Sequence, residues 1–203
     1  MSIFKSKKNE NNNGFNRNDP KKMLGPETPF VIKESYNTIR TNLMFTQKGE
    51  KCPVFVVTSP DANNGKTINT VNLAINFAQV GKRTLIIDSD MRNPTIHRMF
   101  SIPVKNGLSE ILAGLTDNIT VSKTEIENLS VLSSGKIPPN PAELLASPRM
   151  DKLLTFVKGH YDCVFIDTPP INLVTDATAF APKATGYVVI VKAGNTDVPE
   201  VRA

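Results

Sequence analysis

The sequence predicts an α/β fold in which a parallel β-sheet carries helices on both faces within a single domain. Short apolar segments of strand length alternate with helical segments along the chain, which is typical of such a sheet. With 203 residues, the chain is long enough to bury one sizeable core. Its 39% hydrophobic and 21% charged residues are ordinary proportions for a globular protein.

The first predicted element is an amphipathic helix from Phe30 to Gln47. Thr28 is expected to cap it, and Pro29 suits its first turn because that turn leaves its N–H groups unbonded. Its apolar stripe comprises Ile32, Tyr36, Ile39 and Leu43.

A second helix is predicted from Thr67 to Val80, where apolar residues recur with helical spacing on more than one face. The other elements follow from apolar runs bounded by turn residues. Strands are predicted at 53–58, 84–88, 129–133, 163–167 and 186–192, and helical pieces at 107–113, 142–158 and 173–181.

Residues 1–26 are predicted to form a disordered tail, which leaves 27–203 as the folded domain. The first 24 residues contain six basic and two acidic residues and are rich in asparagine. Such a tail could be drawn to an anionic membrane face or an acidic partner, or it could serve only to solubilise the chain. Nucleic-acid binding is not predicted, because the few basic residues lack an aromatic platform.

The compartment predicted from the sequence is the cytosol. No apolar run approaches the roughly 20 residues that span a bilayer, and the N-terminus lacks the apolar region of a signal peptide. Cys52 and Cys163 have neither metal-site spacing nor a disulfide pattern, so we expect reduced core thiols.

The chain between the first predicted strand and the helix after it has the layout of a phosphate-binding loop, ending in Gly65-Lys66-Thr67. In such a loop, backbone N–H groups surround the phosphates, and the helix directs the positive end of its dipole at the same anion. Lys66 would reach the β- and γ-phosphates, and the Thr67 hydroxyl would coordinate Mg²⁺.

The match to the pattern G-x-x-x-x-G-K-[ST] is incomplete, because Pro60 stands where the first glycine belongs. Asn63 and Asn64 compensate, since asparagine tolerates the left-handed backbone that such loops need. The predicted nucleotide-binding residues are Asn63, Asn64, Gly65, Lys66, Thr67 and Ile68.

Carboxylates follow two other predicted strands. Asp88 and Asp90 are two positions apart and can project from the same face of a strand end, and Asp167 ends a later strand. In open α/β sheets, ligands bind outside the carboxyl ends of the strands. The loop and the three aspartates are therefore predicted to converge on one Mg²⁺–nucleotide site in a P-loop NTPase-like fold.

From about residue 27 onward, the chain resembles the cytoplasmic kinase domain of the bacterial tyrosine kinases tied to capsule and exopolysaccharide production. The aspartate motif that ends in Arg92 and the proline-rich run at 138–145 are its most specific features. The resemblance is carried by Thr58-Ser59, Gly65-Lys66-Thr67, Ile87-Asp88-Ser89-Asp90-Met91-Arg92, Asn93-Pro94, Gly107-Leu108-Ser109-Glu110, Pro138-Pro139-Asn140-Pro141-Ala142-Glu143-Leu144-Leu145 and Phe165-Ile166-Asp167-Thr168-Pro169-Pro170.

The resemblance implies transfer of the γ-phosphoryl group of ATP to a tyrosine hydroxyl, usually on a neighbouring copy of the kinase. Phosphoryl transfer needs mainly positioning and charge neutralisation, which Lys66, the loop amides and Mg²⁺ would supply. Thr67 with Asp88 or Asp167 would hold the metal. Asp90 is the first candidate for the base that accepts the tyrosine proton and Asp88 the second, while Arg92 would orient an aspartate or contact the acceptor.

The resemblance also implies partners: a membrane-spanning activator of the polysaccharide co-polymerase type, protein tyrosine substrates, and recruitment to the inner face of the plasma membrane. The family's ring-forming helix typically reads Glu-x-x-Arg-x-x-Arg, of which this chain keeps Glu34 and Arg40 but has Asn37 between them. The family domain is expected to continue past Ala203 to a tyrosine-rich tail, whereas this chain contains Tyr36, Tyr161 and Tyr187.

Two other functions are compatible with these residues. One is a partitioning or cell-division switch ATPase of the ParA and MinD type, against which Pro60 and Arg92 count because those proteins typically carry a lysine and a glutamine there. The other is a catalytically silent scaffold that binds a nucleotide or the activator, against which Lys66, Thr67 and the three aspartates argue.

Overall fold

The computed structural model describes residues 22–47, 49–194 and 196, so most of the predicted tail lies outside the described residues. The described elements are helix α1 (Phe30–Thr46), strand β1 (Val54–Thr58), helix α2 (Lys66–Ala78), strand β2 (Thr84–Asp88), helices α3 (Ile96–Met99) and α4 (Leu108–Leu112), strands β3 (Ser122–Lys123) and β4 (Leu129–Leu132), helices α5 (Pro141–Ala146) and α6 (Pro148–Lys158), strand β5 (Cys163–Asp167), a short 3-10 helix (Asp176–Phe180) and strand β6 (Gly186–Val189).

The strands form one six-stranded sheet in the order β3-β4-β2-β5-β1-β6. All neighbours are parallel except β3, a two-residue strand that the sequence did not predict and that pairs antiparallel with β4. Asp88 lies directly opposite Asp167 in the register of β2 and β5. The predicted parallel α/β sheet is thus confirmed, and its two central carboxylates end side by side.

The central strands β1, β2 and β5 are buried throughout, and the side chains of β1 alternate between two cores. Val54 and Val56 pack with the apolar residues of α4, α5 and α6. Phe55 and Val57 pack on the other face with α2 and α3. On that face Phe165 lies 5.6 Å from Phe55 between ring centroids. The period of two is the expected consequence of a strand covered on both sides.

Two helical predictions need correction. The piece predicted at 142–158 is two helices, because Pro148 follows Ser147 and forces that residue out of the helical region, with ψ of 155°. The segment predicted at 173–181 is helical only as the 3-10 turn Asp176–Phe180. Proline fits at the first position of α6 because the N–H it lacks is unbonded there anyway.

Helix α1 lies against α2 through a mixed polar and apolar contact. Tyr36 and Leu43 are partly buried against the core, as their place in the predicted stripe suggested. Ile32 and Ile39 of the same stripe stay 46% and 39% exposed. Thr28 does not cap the helix; its hydroxyl accepts a hydrogen bond from the Gly25 N–H at 2.9 Å, and Pro29 holds the cap position.

The predicted tail, residues 1–26, includes Leu24. This residue precedes the expected domain boundary, yet it is 6% exposed and packs in the core beside α2.

Over the described ranges, the structure has no helix of the length and apolarity needed to cross a bilayer. Cys52 and Cys163 are both buried and free, as predicted.

A buried carboxylate ties the start of α4 to the turn after β4. Glu110 accepts hydrogen bonds from the Gly107 N–H at 3.0 Å and from the Lys136 N–H at 3.2 Å. The backbones approach so closely that a Cβ on Gly107 would collide with Gly135, and a Cβ on Gly135 would collide with Glu110. Both glycines are therefore required by close packing, and Gly135 also by its φ of +83°.

Candidate nucleotide site

A cleft of about 760 Å³ opens at the carboxyl ends of β1, β2 and β5. One wall is the loop between β1 and α2, and the other contains the chain after β2 and the Pro169-Pro170 turn after β5. Of the predicted site residues, Asn63, Gly65, Lys66, Thr67, Ile68, Asp90 and Arg92 line it.

The loop has the backbone that a phosphate-binding turn needs. Asn63 and Gly65 both have positive φ, at 70° and 82°. Asparagine and glycine are the residues that adopt this region most readily, so the sequence at both positions suits the turn. The side-chain amide nitrogen of Asn64 is buried and has no hydrogen-bond partner among the described residues.

Lys66 and Asp167 form the charged centre of the site. The Lys66 ammonium lies 3.0 Å from Asp167 Oδ1 and 3.5 Å from Asp90 Oδ2, and all three side chains are nearly buried. Burial lowers the pKa of Lys66, but Asp167 and Asp90 outweigh it, so the pKa is raised and the lysine stays charged. An ammonium held in this way can exchange a carboxylate for a phosphate.

Two threonine hydroxyls also donate hydrogen bonds to the Asp167 carboxylate. Thr67 Oγ1 donates to Asp167 Oδ2 at 2.8 Å, and Thr70 Oγ1 donates to Asp167 Oδ1 at 3.0 Å. Thr70 was missed in the sequence analysis. It stands one turn after Lys66 in α2, and the helical spacing from Lys66 was the signal that could have indicated it.

Asp88 and Asp90 have different environments. Asp88 is completely buried; its Oδ2 accepts a hydrogen bond from the Ile96 N–H at 3.2 Å, and its Oδ1 has no partner among the described residues. Burial first, and then the charge of Asp167, raise the pKa of Asp88 well above its ordinary value. Asp90 lines the cleft, and its pKa is also raised, mainly by burial.

The Arg92 guanidinium pairs with Asp176 rather than with Asp88 or Asp90. Its Nε and Nη2 donate to the two carboxylate oxygens of Asp176, both at 3.0 Å. Asp176 is fully buried at the start of the 3-10 helix and was not singled out from the sequence. This bidentate pair fixes Arg92 at the mouth of the cleft.

The donor set suits a hard divalent cation. Thr67, Asp88 and Asp167 offer hydroxyl and carboxylate oxygens. The unpartnered oxygen of Asp88 is a buried acceptor that a cation would stabilise. Among the described residues, no group of three or more His, Cys, Asp or Glu side chains forms a metal-ion cage. A magnesium ion bound with a nucleotide needs fewer protein ligands, because phosphates and waters supply the others.

The parallel sheet, the loop of positive-φ residues before α2, and the lysine and carboxylates at the strand ends together define a P-loop nucleotide-binding protein. A family profile described as AAA domain matches residues 58–195, which include the loop and all three aspartates.

Comparison with known proteins narrows the class. The chain is 40% identical over 173 residues to the putative tyrosine-protein kinase CapB of Staphylococcus aureus, covering 85% of this chain and 76% of that protein. The crystal structure of the chimerical protein CapA2B2 superimposes with a TM-score of 0.80 at 41% identity, covering 87% of this chain and 77% of that one. The kinase domain of the Escherichia coli tyrosine kinase ETK gives 0.79 at 31% identity, with 84% and 67% covered.

This chain therefore belongs to the family of bacterial tyrosine-protein kinases. The septum site-determining protein MinD of Pyrococcus horikoshii shares the fold, with a TM-score of 0.59 at 22% identity over 69% of this chain and 58% of that one. That likeness extends to the architecture alone.

Proposed function

We propose that this protein is an ATP-dependent protein-tyrosine kinase that regulates the synthesis and export of capsular polysaccharide or exopolysaccharide. The observation that carries the proposal is the buried ammonium of Lys66, held between Asp167 and Asp90 at the base of the phosphate loop. Family membership at 40% identity to a protein named as a tyrosine kinase supports the choice of acceptor.

The chain's own residues account for positioning and charge neutralisation. When the nucleotide binds, the Lys66 ammonium would exchange its carboxylate partners for the β- and γ-phosphates. The backbone of the loop from Asn63 to Lys66 would surround these phosphates. Thr67, Asp88 and Asp167 would hold Mg²⁺, which when bound neutralises charge on the phosphate oxygens. The positive end of α2 is directed at the same anion, so this part of the stabilisation needs no reorganisation when the nucleotide binds.

Asp90 is the better placed of the two candidate bases. It lines the cleft, whereas Asp88 is completely buried and is better suited to holding the metal. The raised pKa of Asp90 makes its carboxylate a stronger proton acceptor than an exposed aspartate, and its ion pair with Lys66 keeps it charged in the resting site. Asp90 would thus take the proton of the tyrosine hydroxyl as the phosphoryl group is transferred.

The proposed partners follow from family membership. A membrane-spanning activator of the polysaccharide co-polymerase type would recruit the kinase from the cytoplasm to the inner face of the plasma membrane. The tyrosines it phosphorylates would lie on protein substrates or on other copies of the kinase. Ring assembly through α1 would use Glu34 and Arg40, although Arg40 Nη1 donates within the monomer to Asn76 Oδ1 at 2.6 Å.

The test is phosphotyrosine formation by the purified chain with Mg²⁺ and labelled ATP, with and without the cytoplasmic segment of an activator and a tyrosine-rich acceptor peptide. Lys66→Met should abolish labelling. Since removing that buried charge can also unfold the site, Asp90→Asn serves as the second variant: it should bind ATP but transfer phosphate poorly. ATP hydrolysis without tyrosine labelling would favour a switch ATPase, and no binding or turnover would favour a silent module; either result overturns the proposal.

A further inference from the structure

The contact between α1 and α2 is lined by asparagines. Asn69, Asn72 and Asn76 are spaced three and four positions apart and so share one face of α2. Asn72 and Asn76 are each only 3% exposed. Asparagine is a poor choice for a packed helix face unless its amide is bonded, so this stripe calls for polar partners.

Tyr36 of α1 supplies the partner nearest the phosphate loop. Its hydroxyl donates to Asn69 Oδ1 at 2.8 Å and accepts from Asn72 Nδ2 at 3.1 Å. Burial raises the pKa of Tyr36, so its hydroxyl keeps the proton that it donates. The single oxygen of Tyr36 therefore sets the orientation of two side-chain amides on α2.

The orientation of Asn69 matters because its other amide end reaches the loop. With Oδ1 bonded to Tyr36, Nδ2 is directed to the Gly65 carbonyl, to which it donates at 2.9 Å. Gly65 is the left-handed residue directly before Lys66. An unbroken chain of hydrogen bonds thus runs from α1 through Asn69 to the turn that presents Lys66.

Asn72 extends the same network to the chain segment before α1. Its Oδ1 accepts from the Leu24 N–H at 2.8 Å, and its Nδ2 donates to the Lys22 carbonyl at 3.1 Å. Lys22 lines the nucleotide cleft. The segment 22–24 and the phosphate loop are therefore both held by amides that Tyr36 orients.

We infer that Tyr36 is a positioning residue of the nucleotide site, which couples the placement of α1 to the affinity of the phosphate loop for nucleotide. The coupling needs no contact between Tyr36 and the ligand. A partner or second copy of this chain that shifts α1 would change nucleotide affinity through Asn69 and Gly65. This inference rests on the nucleotide site of the proposed function but not on the transfer of phosphate to tyrosine.

The test compares Tyr36→Phe with the wild-type full chain by titration of a fluorescent ADP in the presence of Mg²⁺. The variant keeps the ring and removes the hydroxyl, so its Kd should rise by about three- to tenfold, the equivalent of one well-placed hydrogen bond. Thr38→Val is the matched control, because the Thr38 hydroxyl donates to the Glu34 carbonyl within α1. Its Kd should stay within about twofold of the wild-type value.

A double-mutant cycle separates positioning from simple helix docking. Asn69→Ala should weaken ADP binding to a similar extent, and Tyr36→Phe should add little in its presence, since both changes break the same chain of hydrogen bonds. A structural role alone would lower the melting temperature of Tyr36→Phe and leave its Kd unchanged. That result would overturn the inference, and so would additive effects in the cycle or a wild-type protein that does not bind ADP. If the wild-type protein binds ADP but does not label tyrosine, only the proposed kinase activity is overturned.

Discussion

Replacing Asp88 by asparagine is expected to stabilise the ligand-free protein and to weaken its binding of Mg²⁺ and nucleotide. Asp88 is fully buried, lies in register with Asp167, and has one carboxylate oxygen without a partner among the described residues. The site places three carboxylates around one ammonium group, that of Lys66. Asparagine has nearly the same shape, keeps an oxygen for the Ile96 N–H, and removes one negative charge.

The size of the effect follows from the unpartnered oxygen. A buried polar group left without a hydrogen bond is costly, and a charged one costs more; asparagine leaves a neutral Nδ2 unpartnered in place of the charged oxygen, so the variant gains that difference, about 1–3 kcal/mol. For a domain of this size, 1 kcal/mol shifts the melting temperature by about 2–4 °C. The melting temperature of Asp88→Asn should therefore rise by roughly 2–12 °C in the absence of ligand.

The stabilisation should depend on pH in a defined direction. The pKa of Asp88 is raised in the folded state, so the folded protein binds more protons than the unfolded chain between the ordinary and the raised value. The contribution of Asp88 to stability is thus present at low pH and is lost as the pH rises through the folded pKa. Asparagine does not titrate, so the advantage of the variant should be small in acid and grow towards alkaline pH.

The assay is thermal unfolding of both proteins, without ligand, in mildly acidic and mildly alkaline buffer, followed by titration with Mg²⁺ and fluorescent ADP. Loss of a carboxylate near the metal should weaken binding by about tenfold or more. Asp117→Asn is the control, because Asp117 pairs with Arg149 at the surface with its side chain 90% exposed. A variant that is destabilised at alkaline pH, or that binds Mg²⁺ and ADP as well as the wild type, would refute the reasoning.

Two further changes test other parts of the structure. Gly135→Ala should lower the free energy of unfolding by at least about 2 kcal/mol, because φ is +83° there and a Cβ would collide with Glu110. Urea unfolding measures this loss, with Gly49→Ala as the control, because Gly49 shares the positive φ but has open space around it. Equal losses in the two variants would contradict the packing argument. Arg92→Ala should cost about 1–3 kcal/mol because it leaves the buried Asp176 unpaired. Adding Asp176→Asn should recover part of this loss, and a fully additive pair would show that the ion pair contributes nothing.

Much of the site could be predicted because parallel strands end at the same edge of a sheet. That rule brought Asp88, Asp90 and Asp167 to the loop of Lys66 from sequence alone, and the structure places them there. The partner of Arg92 could not be predicted in this way. Asp176 lies 84 positions away in the chain, and its approach depends on how the segment after β5 folds back over the sheet.

The helices likewise have features that the sequence could predict and features that it could not. The break before Pro148 was foreseeable, since a residue that precedes proline avoids the helical region. The exposure of Ile32 and Ile39 was not. Periodicity predicts the apolar face of α1, but it does not reveal that α2 packs against this helix through asparagines. These asparagines form hydrogen bonds with Tyr36 and Arg40.

Helix α1, all of whose residues are described, has none that is fully buried. Its detachment would expose little apolar area, so the free energy of that local opening should be far below that of global unfolding. Amide protons of α1 should then exchange with solvent sooner than those of β1, β2 and β5, whose residues are buried throughout. Helix α1 can therefore open locally while the sheet and its two cores remain intact.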